Sequence, residues 1–205
     1  MHVFNPLSGS HCLLCLGSCG GAVSFCTGCV DDMPWADRFL ASSDWPVFAS
    51  FFYQFPLNSL ISSAKFRKNP GVCNALSSLM WSRAPELDWE RWSLCPVPLS
   101  WRRHAGRGFN QSAELAKGIA HASGAKLAPG LLRRIRHGIP QRKLGRSDRL
   151  QNAVNAFRGT TDVSGKRVVL VDDVYTTGAT LRAAREALLD AGASAVVAWV
   201  CAAVR

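Results

Sequence analysis

Between Lys166 and Val171 the chain reads Lys-Arg-Val-Val-Leu-Val, two basic residues leading into an apolar run rich in β-branched residues and bare of polar alternation. That is the pattern of a strand buried on both faces, as in a parallel sheet. Directly downstream, Leu181, Ala184, Leu188 and Ala191 recur at helical spacing and Gly192 follows, which predicts strand, tight turn and helix in succession. Earlier in the chain, Val47 to Tyr53 predicts another strand, and Pro56 opens a helix with Leu57, Leu60, Ile61 and Ala64 on one face. Asn69-Pro70-Gly71 stops that helix, and a second follows with Val72, Leu76, Leu79 and Met80 inward. Ser93 to Pro98 predicts a short buried strand, and a helix begins at about Asn110 with Leu115, Ala116, Ile119 and Ala120 as its core face. Leu131 to Arg149, with Gly138, Pro140 and Gly145, predicts a loop or lid, after which Ser147 caps a helix carrying Leu150, Val154 and Phe157. Strands alternating with helices predict an α/β fold built on a parallel sheet.

Composition narrows this to one sizeable core with a small appendage: 205 residues, 48% hydrophobic and 19% charged. The most apolar stretch, Val47 to Ile61, is interrupted by Gln54, Pro56 and Asn58, too short and too broken to span a bilayer. The opening MHVFNPLSGSHC lacks a basic segment and an apolar run, so the expectation is a soluble, cytoplasmic protein without membrane insertion. Residues 101–167 hold fifteen basic and three acidic side chains, a local net charge of +12 in a chain of +10. An anionic partner follows: a nucleic acid, a phosphorylated metabolite or an acidic protein.

Five of the eight cysteines fall between Cys12 and Cys29. Cys12-x-x-Cys15 and Cys26-x-x-Cys29 make two knuckles at a spacing that can present four thiolates tetrahedrally to structural Zn²⁺. Cys19 and His11 are alternative ligands. A redox dithiol would need one such pair, not two. Residues 1–45 are therefore expected to form a zinc-binding module, its folding coupled to the metal, and residues 46–205 the α/β domain.

After Val171 comes Asp172-Asp-Val-Tyr-Thr-Thr-Gly-Ala-Thr180. A turn that opens a helix beyond a parallel strand aims free amides and the positive dipole end at an anion. Thr176, Thr177 and Thr180 add hydroxyls, and Gly178 clears the approach, a combination suited to a phosphate monoester. Carboxylates repel phosphate but accept hydrogen bonds from vicinal hydroxyls, so Asp172 and Asp173 turn the expectation to a sugar phosphate. Upstream, Arg102, Arg103 and Arg107 sit beside Gly106 and Gly108 between a strand and a helix, where guanidinium forks can hold phosphate oxygens. Trp89, Trp92 and Trp101 interleave with arginines, a pattern compatible with base stacking as well as with core packing. Lys65, Arg67 and Lys68 close a helix, where cations complement its dipole.

The run VVLVDDVYTTGATL, Val168 to Leu181, resembles the signature of type I phosphoribosyltransferases for phosphoribosyl pyrophosphate (PRPP). The paired knuckles, Lys65-Phe66, Pro96-Val-Pro-Leu, Arg107-Gly-Phe-Asn-Gln-Ser112, the basic segment around Gln141 and Asn155-Ala-Phe157 resemble the ComF family in order and spacing. The resemblance implies a type I phosphoribosyltransferase-like parallel sheet flanked by helices, with a small N-terminal zinc-binding knuckle. It implies that Asp172 and Asp173 hold the ribose 2- and 3-hydroxyls, and that Thr176, Thr177, Gly178, Ala179 and Thr180, continuing from Val174 and Tyr175, hold the 5-phosphate. It further implies Arg102, Arg103 and Arg107 on the pyrophosphate and PRPP entering with Mg²⁺. Purine salvage enzymes carry aspartate at the position of Thr176, and threonine there is similar to orotate-type enzymes. Two functions follow: phosphoribosyl transfer to an acceptor that no residue identifies, or a binding protein with the chemistry lost, acting as a PRPP or nucleotide sensor or as a non-catalytic component of DNA uptake that binds single-stranded DNA and a helicase partner.

Overall fold

The computed structural model describes residues 11–19, 24–40, 44–66, 69–99, 108–135 and 156–204. Six strands form one sheet: β1 (Trp35–Phe39), β2 (Val47–Phe52), β3 (Trp92–Pro96), β4 (Lys126–Leu127), β7 (Arg167–Tyr175) and β8 (Ala195–Ala203), in the order β1-β2-β8-β7-β3-β4. All neighbours are parallel except β1, which runs antiparallel to β2 at the edge. Two more strands, β5 (Leu132–Arg134) and β6 (Phe157–Gly159), pair as an antiparallel ribbon. The helices are α1 (Thr27–Asp31), α2 (Leu57–Phe66), α3 (Pro70–Ser82), α4 (Gln111–Ser123) and α5 (Ala179–Asp190).

The all-apolar β7 is explained by cover on both sides of the sheet. Val169 and Val171 face the cluster of Leu60, Ile61, Leu76, Met80, Leu115 and Ile119 from α2, α3 and α4. Val168 and Leu170 face Leu132 and Phe157 of the ribbon and Leu181, Ala184 and Leu188 of α5. Fully enclosed Trp199 of β8 donates its indole N–H to the Ser50 hydroxyl at 2.8 Å, which satisfies the polar atom that its burial brings inside. Gly118 of α4 meets α3 so closely that a Cβ would fall on the Ser77 side chain, so helix contact here requires glycine.

Several expectations change. Asn69 and Pro70 both stop one helix and start the next: the Asn69 carboxamide oxygen accepts from Gly71 N at 3.0 Å, and Pro70 is the first residue of α3. The stretch from Leu131 is not all loop, because Leu132–Arg134 is strand, and Phe157 belongs to β6 rather than to a helical face. A two-residue period explains both: Leu132 and Phe157 turn inward while Arg133 and Arg158 turn outward. Leu150, Val154 and their expected helix lie outside the described residues. Strand β7 continues through the acidic pair to Tyr175, so the turn proper is Thr176 to Gly178. Strands β1 and β8 were not anticipated, although β8 carries the same apolar signature as β7. The edge strand β1 comes from the N-terminal segment, and Cys12, Phe25 and Met33 share a core cluster with Phe51 and Trp199.

Trp89 and Trp92 are committed to packing. The Trp89 ring lies 5.3 Å from Trp199 and 5.4 Å from Trp81, and Trp92 is buried. Trp101 falls outside the described residues. Among the described residues, no helix is long and apolar enough to cross a membrane.

Candidate functional site

The carboxyl ends of β3 and β7 lie side by side, with Pro96 opposite Val171 and Val97 N donating to Val171 O at 3.0 Å. Helix α4 is pinned to this edge by Asn110. Its amide group donates to Val97 O at 3.0 Å, and its carboxamide oxygen caps the helix by accepting from Ser112 N at 3.2 Å. Ser112 then donates its hydroxyl to Asp172 Oδ1 at 2.7 Å, and Asp173 N donates to the same oxygen at 2.9 Å.

Beyond β7, Gly178 stands at φ +74° as the residue before α5, and a Cβ there would meet the Tyr175 hydroxyl at 2.7 Å. Glycine is required on both counts. The first intrahelical bond runs from Arg182 N to Gly178 O, so the amides of Ala179, Thr180 and Leu181 lie ahead of the hydrogen-bond ladder. Thr176, Thr177 and Thr180 are exposed around them. Asp172 and the continuous run Val174 to Leu181 line an open depression with about 230 Å³ of empty space. Amides, hydroxyls and a helix N-terminus converge there, a set of donors suited to an anion.

The two carboxylates part company. Successive strand residues point to opposite faces, and Asp173 lines a separate small cavity with Cys73, Gln111, Leu115 and Cys201. There it forms an ion pair with Lys65 of α2, Nζ to Oδ2 2.8 Å, both side chains about one-fifth exposed (20% and 19%). Its other oxygen accepts from Val174 N at 2.7 Å. Burial pushes the Asp172 carboxyl up to about 7, and the neighbouring Asp173 charge adds to this. The Ser112 hydroxyl, the Asp173 amide and the Lys65 ammonium act in the opposite direction. Around Asp173, burial pushes the Cys73 thiol up to about 12 and the Cys201 thiol well above its ordinary value, so both are inert core thiols.

Sequence reasoning did not give Ser112 or Lys65 a place beside the acids. In the sequence Lys65 has the signature of a helix-end cation, and it and Ser112 otherwise stand only within family motifs. Arg102, Arg103 and Arg107 lie outside the described residues.

At the N-terminus, the sulfurs of Cys12, Cys15, Cys26 and Cys29 all lie within 4.8 Å of one another, with Cys15 and Cys26 at 3.7 Å. A tetrahedron with Zn–S of about 2.3 Å requires sulfur separations of about 3.8 Å, so the quartet can hold zinc. Leu14 N and Gly17 N donate to the Cys12 and Cys15 sulfurs at 3.4 Å, the backbone support a thiolate needs. Cys19 is outside the quartet and points its thiol to Gly17 O at 3.8 Å. His11 is also outside it.

A family model described as phosphoribosyl transferase domain matches residues 97–205, from the end of β3 onward. The chain is 34% identical over 180 residues to the DNA utilization protein YhgH of Salmonella typhimurium, covering 85% of this chain and 75% of that protein. It is 28% identical to competence protein F of Haemophilus influenzae, covering 89% and 82%. The chain belongs to the ComF family of phosphoribosyl transferase-domain proteins. Competence protein ComFC of Bacillus subtilis is 32% identical over 72% of this ComF-family chain, which spans only 59% of that protein. Among solved structures, the glutamine PRPP amidotransferase of B. subtilis complexed with ADP and GMP aligns with a TM-score of 0.47 and 24% identity. The alignment covers 67% of this chain and 30% of the amidotransferase.

Proposed function

We propose that the depression at the carboxyl edge of β7 binds PRPP and that the protein transfers its phosphoribosyl group to an acceptor, releasing pyrophosphate. The observation that carries this reading is the convergence on one depression of the α5 amides, the Thr176, Thr177 and Thr180 hydroxyls and the Asp172 carboxyl. In this reading the 5-phosphate sits on the amides of Ala179 to Leu181 and on the threonine hydroxyls. Asp172, oriented by Ser112, accepts a hydrogen bond from a ribose hydroxyl through its remaining oxygen, and Asp173 takes the neighbouring hydroxyl once it turns from Lys65. Arg102, Arg103 and Arg107 receive the pyrophosphate.

During transfer the bond from C1 to the pyrophosphate oxygen breaks, positive charge develops on the ribose, and a nucleophilic atom of the acceptor bonds to C1. Carboxylates beside the ribose stabilise that charge, and arginines stabilise the leaving group. Mg²⁺ would arrive with PRPP as part of the substrate and would offset charge on the leaving pyrophosphate alongside Arg102, Arg103 and Arg107. Zn²⁺ in the cysteine quartet is structural.

The test is thermal unfolding with and without PRPP and Mg²⁺. Ligand at a hundredfold its dissociation constant adds about 2.7 kcal/mol, a rise of about 5–10 °C for a chain of this size. The double variant Asp172→Asn, Asp173→Asn should lose the rise, and an unmoved wild-type transition at millimolar PRPP ends this proposal.

A second reading, binding of single-stranded DNA, is favoured by the names of the relatives and by exposed Arg133 and Arg158. These face each other across the β5–β6 ribbon with no ion pair among the described residues. Like charges directly opposite destabilise a ribbon, and a phosphate between them removes that cost. Oligonucleotide affinity should fall steeply with salt, and charge reversal at Arg133, Arg158, Arg142, Lys143 and Arg146 should flatten the slope. A helicase partner, where one exists, would be found by pull-down with the same charge-reversed protein as control.

A further inference from the structure

Two acids beside a seat for a polyanion present an electrostatic problem, because each ionised carboxylate repels the ligand that its neighbour binds. The answer lies outside the matched domain. Lys65, near the end of α2, reaches Asp173 at 2.8 Å in a setting where both partners are about one-fifth exposed (20% and 19%), so the contact is screened far less than a surface pair. The other titratable groups around Asp173 are Cys73 from α3, Cys201 from β8 and Asp172 on its own strand, and Glu114 from α4 acts on Cys73. Glu114 is engaged by Lys117 at 2.8 Å. Lys65 is therefore the cation paired with the acid motif among the described residues.

We propose that Lys65 is a positioning residue of the sugar-phosphate site: its ammonium cancels the charge of Asp173, so that a polyanionic sugar phosphate can approach the acid pair. This rests on the PRPP reading above. With Lys65 in place the pair carries at most one net negative charge; without it, two. Lys65 also holds Asp173 toward α2 in the resting state, leaving Asp172 as the acid that lines the depression with the threonines.

The probe is PRPP with Mg²⁺, titrated calorimetrically at pH 8 into the zinc-loaded full chain. Lys65→Met should weaken binding about tenfold or more, since juxtaposed like charges cost several kcal/mol, while Lys65→Arg should retain affinity. In an Asp173→Asn background, in which no charge is left to cancel, adding Lys65→Met should change affinity by less than about threefold, whatever Asp173→Asn costs by itself. A Lys65→Met loss as large in the Asp173→Asn background as in wild type overturns the proposal, because a merely structural or directly ligating lysine would be missed equally whether or not its partner is charged. Lys65→Gln serves the same comparison should the Met variant not fold. Carboxyl ¹³C titration of Asp172 is an independent readout. Its midpoint should move up in Lys65→Met, and an unmoved midpoint overturns the proposal even in a protein that binds no PRPP. Absence of PRPP binding by wild type, with that midpoint shifted, sinks the PRPP reading and leaves the charge-cancelling role standing.

Discussion

The acid pair should make this protein less stable as pH rises toward neutrality, and Asp172→Asn should relieve the loss. Burial holds the Asp172 carboxyl at about 7 in the fold against 3.8 for an ordinary aspartate. Between those values the folded chain binds more protons than the unfolded one, so the free energy of unfolding falls as pH increases and levels off above about 7. Linkage caps this penalty at about 4 kcal/mol. Partial exposure of the carboxyl and its coupling to the Asp173–Lys65 pair reduce the expected effect to about 2 kcal/mol. Asparagine keeps an oxygen that can accept from Ser112 and from the Asp173 amide, so the substitution removes the charge and leaves those two bonds.

For a chain of this length 2 kcal/mol is about 4–8 °C in Tm. Calorimetric scans of wild type and Asp172→Asn, both zinc-loaded, from pH 5 to 8.5 should show transitions that diverge with pH. The variant should gain little near pH 5 and the full amount by pH 8. A difference that stays flat across the range, or a variant less stable than wild type at pH 8, refutes the reasoning, since either would mean that Asp172 ionises in the fold without cost.

Ser112→Ala removes a hydrogen bond that favours the ionised acid, so the Asp172 midpoint should climb above about 7, read by carboxyl ¹³C shifts. Gly178→Ala forces a side chain into φ +74° and against the Tyr175 hydroxyl, and should cost at least about 1–2 kcal/mol in denaturant unfolding while weakening any phosphate ligand. Chelating zinc, or Cys26→Ser, should lower the main unfolding transition rather than create a separate one, with a loss above about 4 kcal/mol. The reason is that Cys12, Phe25 and Met33 pack in the same cluster as Phe51 and Trp199.

The readable parts of the sequence were those in which one local rule acts alone. Four consecutive apolar residues from Val168 can only be a strand covered on both sides, and two Cys-x-x-Cys knuckles announce a tetrahedral site, which the converged sulfurs match. Phe157 failed because its spacing from Leu150 and Val154 suits a helix. Its burial comes instead from pairing with Arg134 across a ribbon, a contact between residues 23 apart that no local period records. Strand β8 carries the plainer signal of the two, its nine residues all apolar where β7 includes Arg167, Asp172 and Asp173.

What no pattern could disclose is the opposition of the two acids. In sequence Asp172 and Asp173 look like a single pair, but the strand extends through them to Tyr175, and strand geometry sends adjacent side chains to different sides. Each acid is then governed by a residue distant in the chain, Ser112 for one and Lys65 for the other. The consequence is a division of labour. Asp172 lines the depression with the threonines and has its carboxyl pushed up to about 7 by burial, whereas Asp173 faces the other way and pairs with Lys65. If the depression seats an anion as proposed, burial eases the charge of one neighbouring acid and an ion pair that of the other, and α2 supplies the cation from before the matched domain begins.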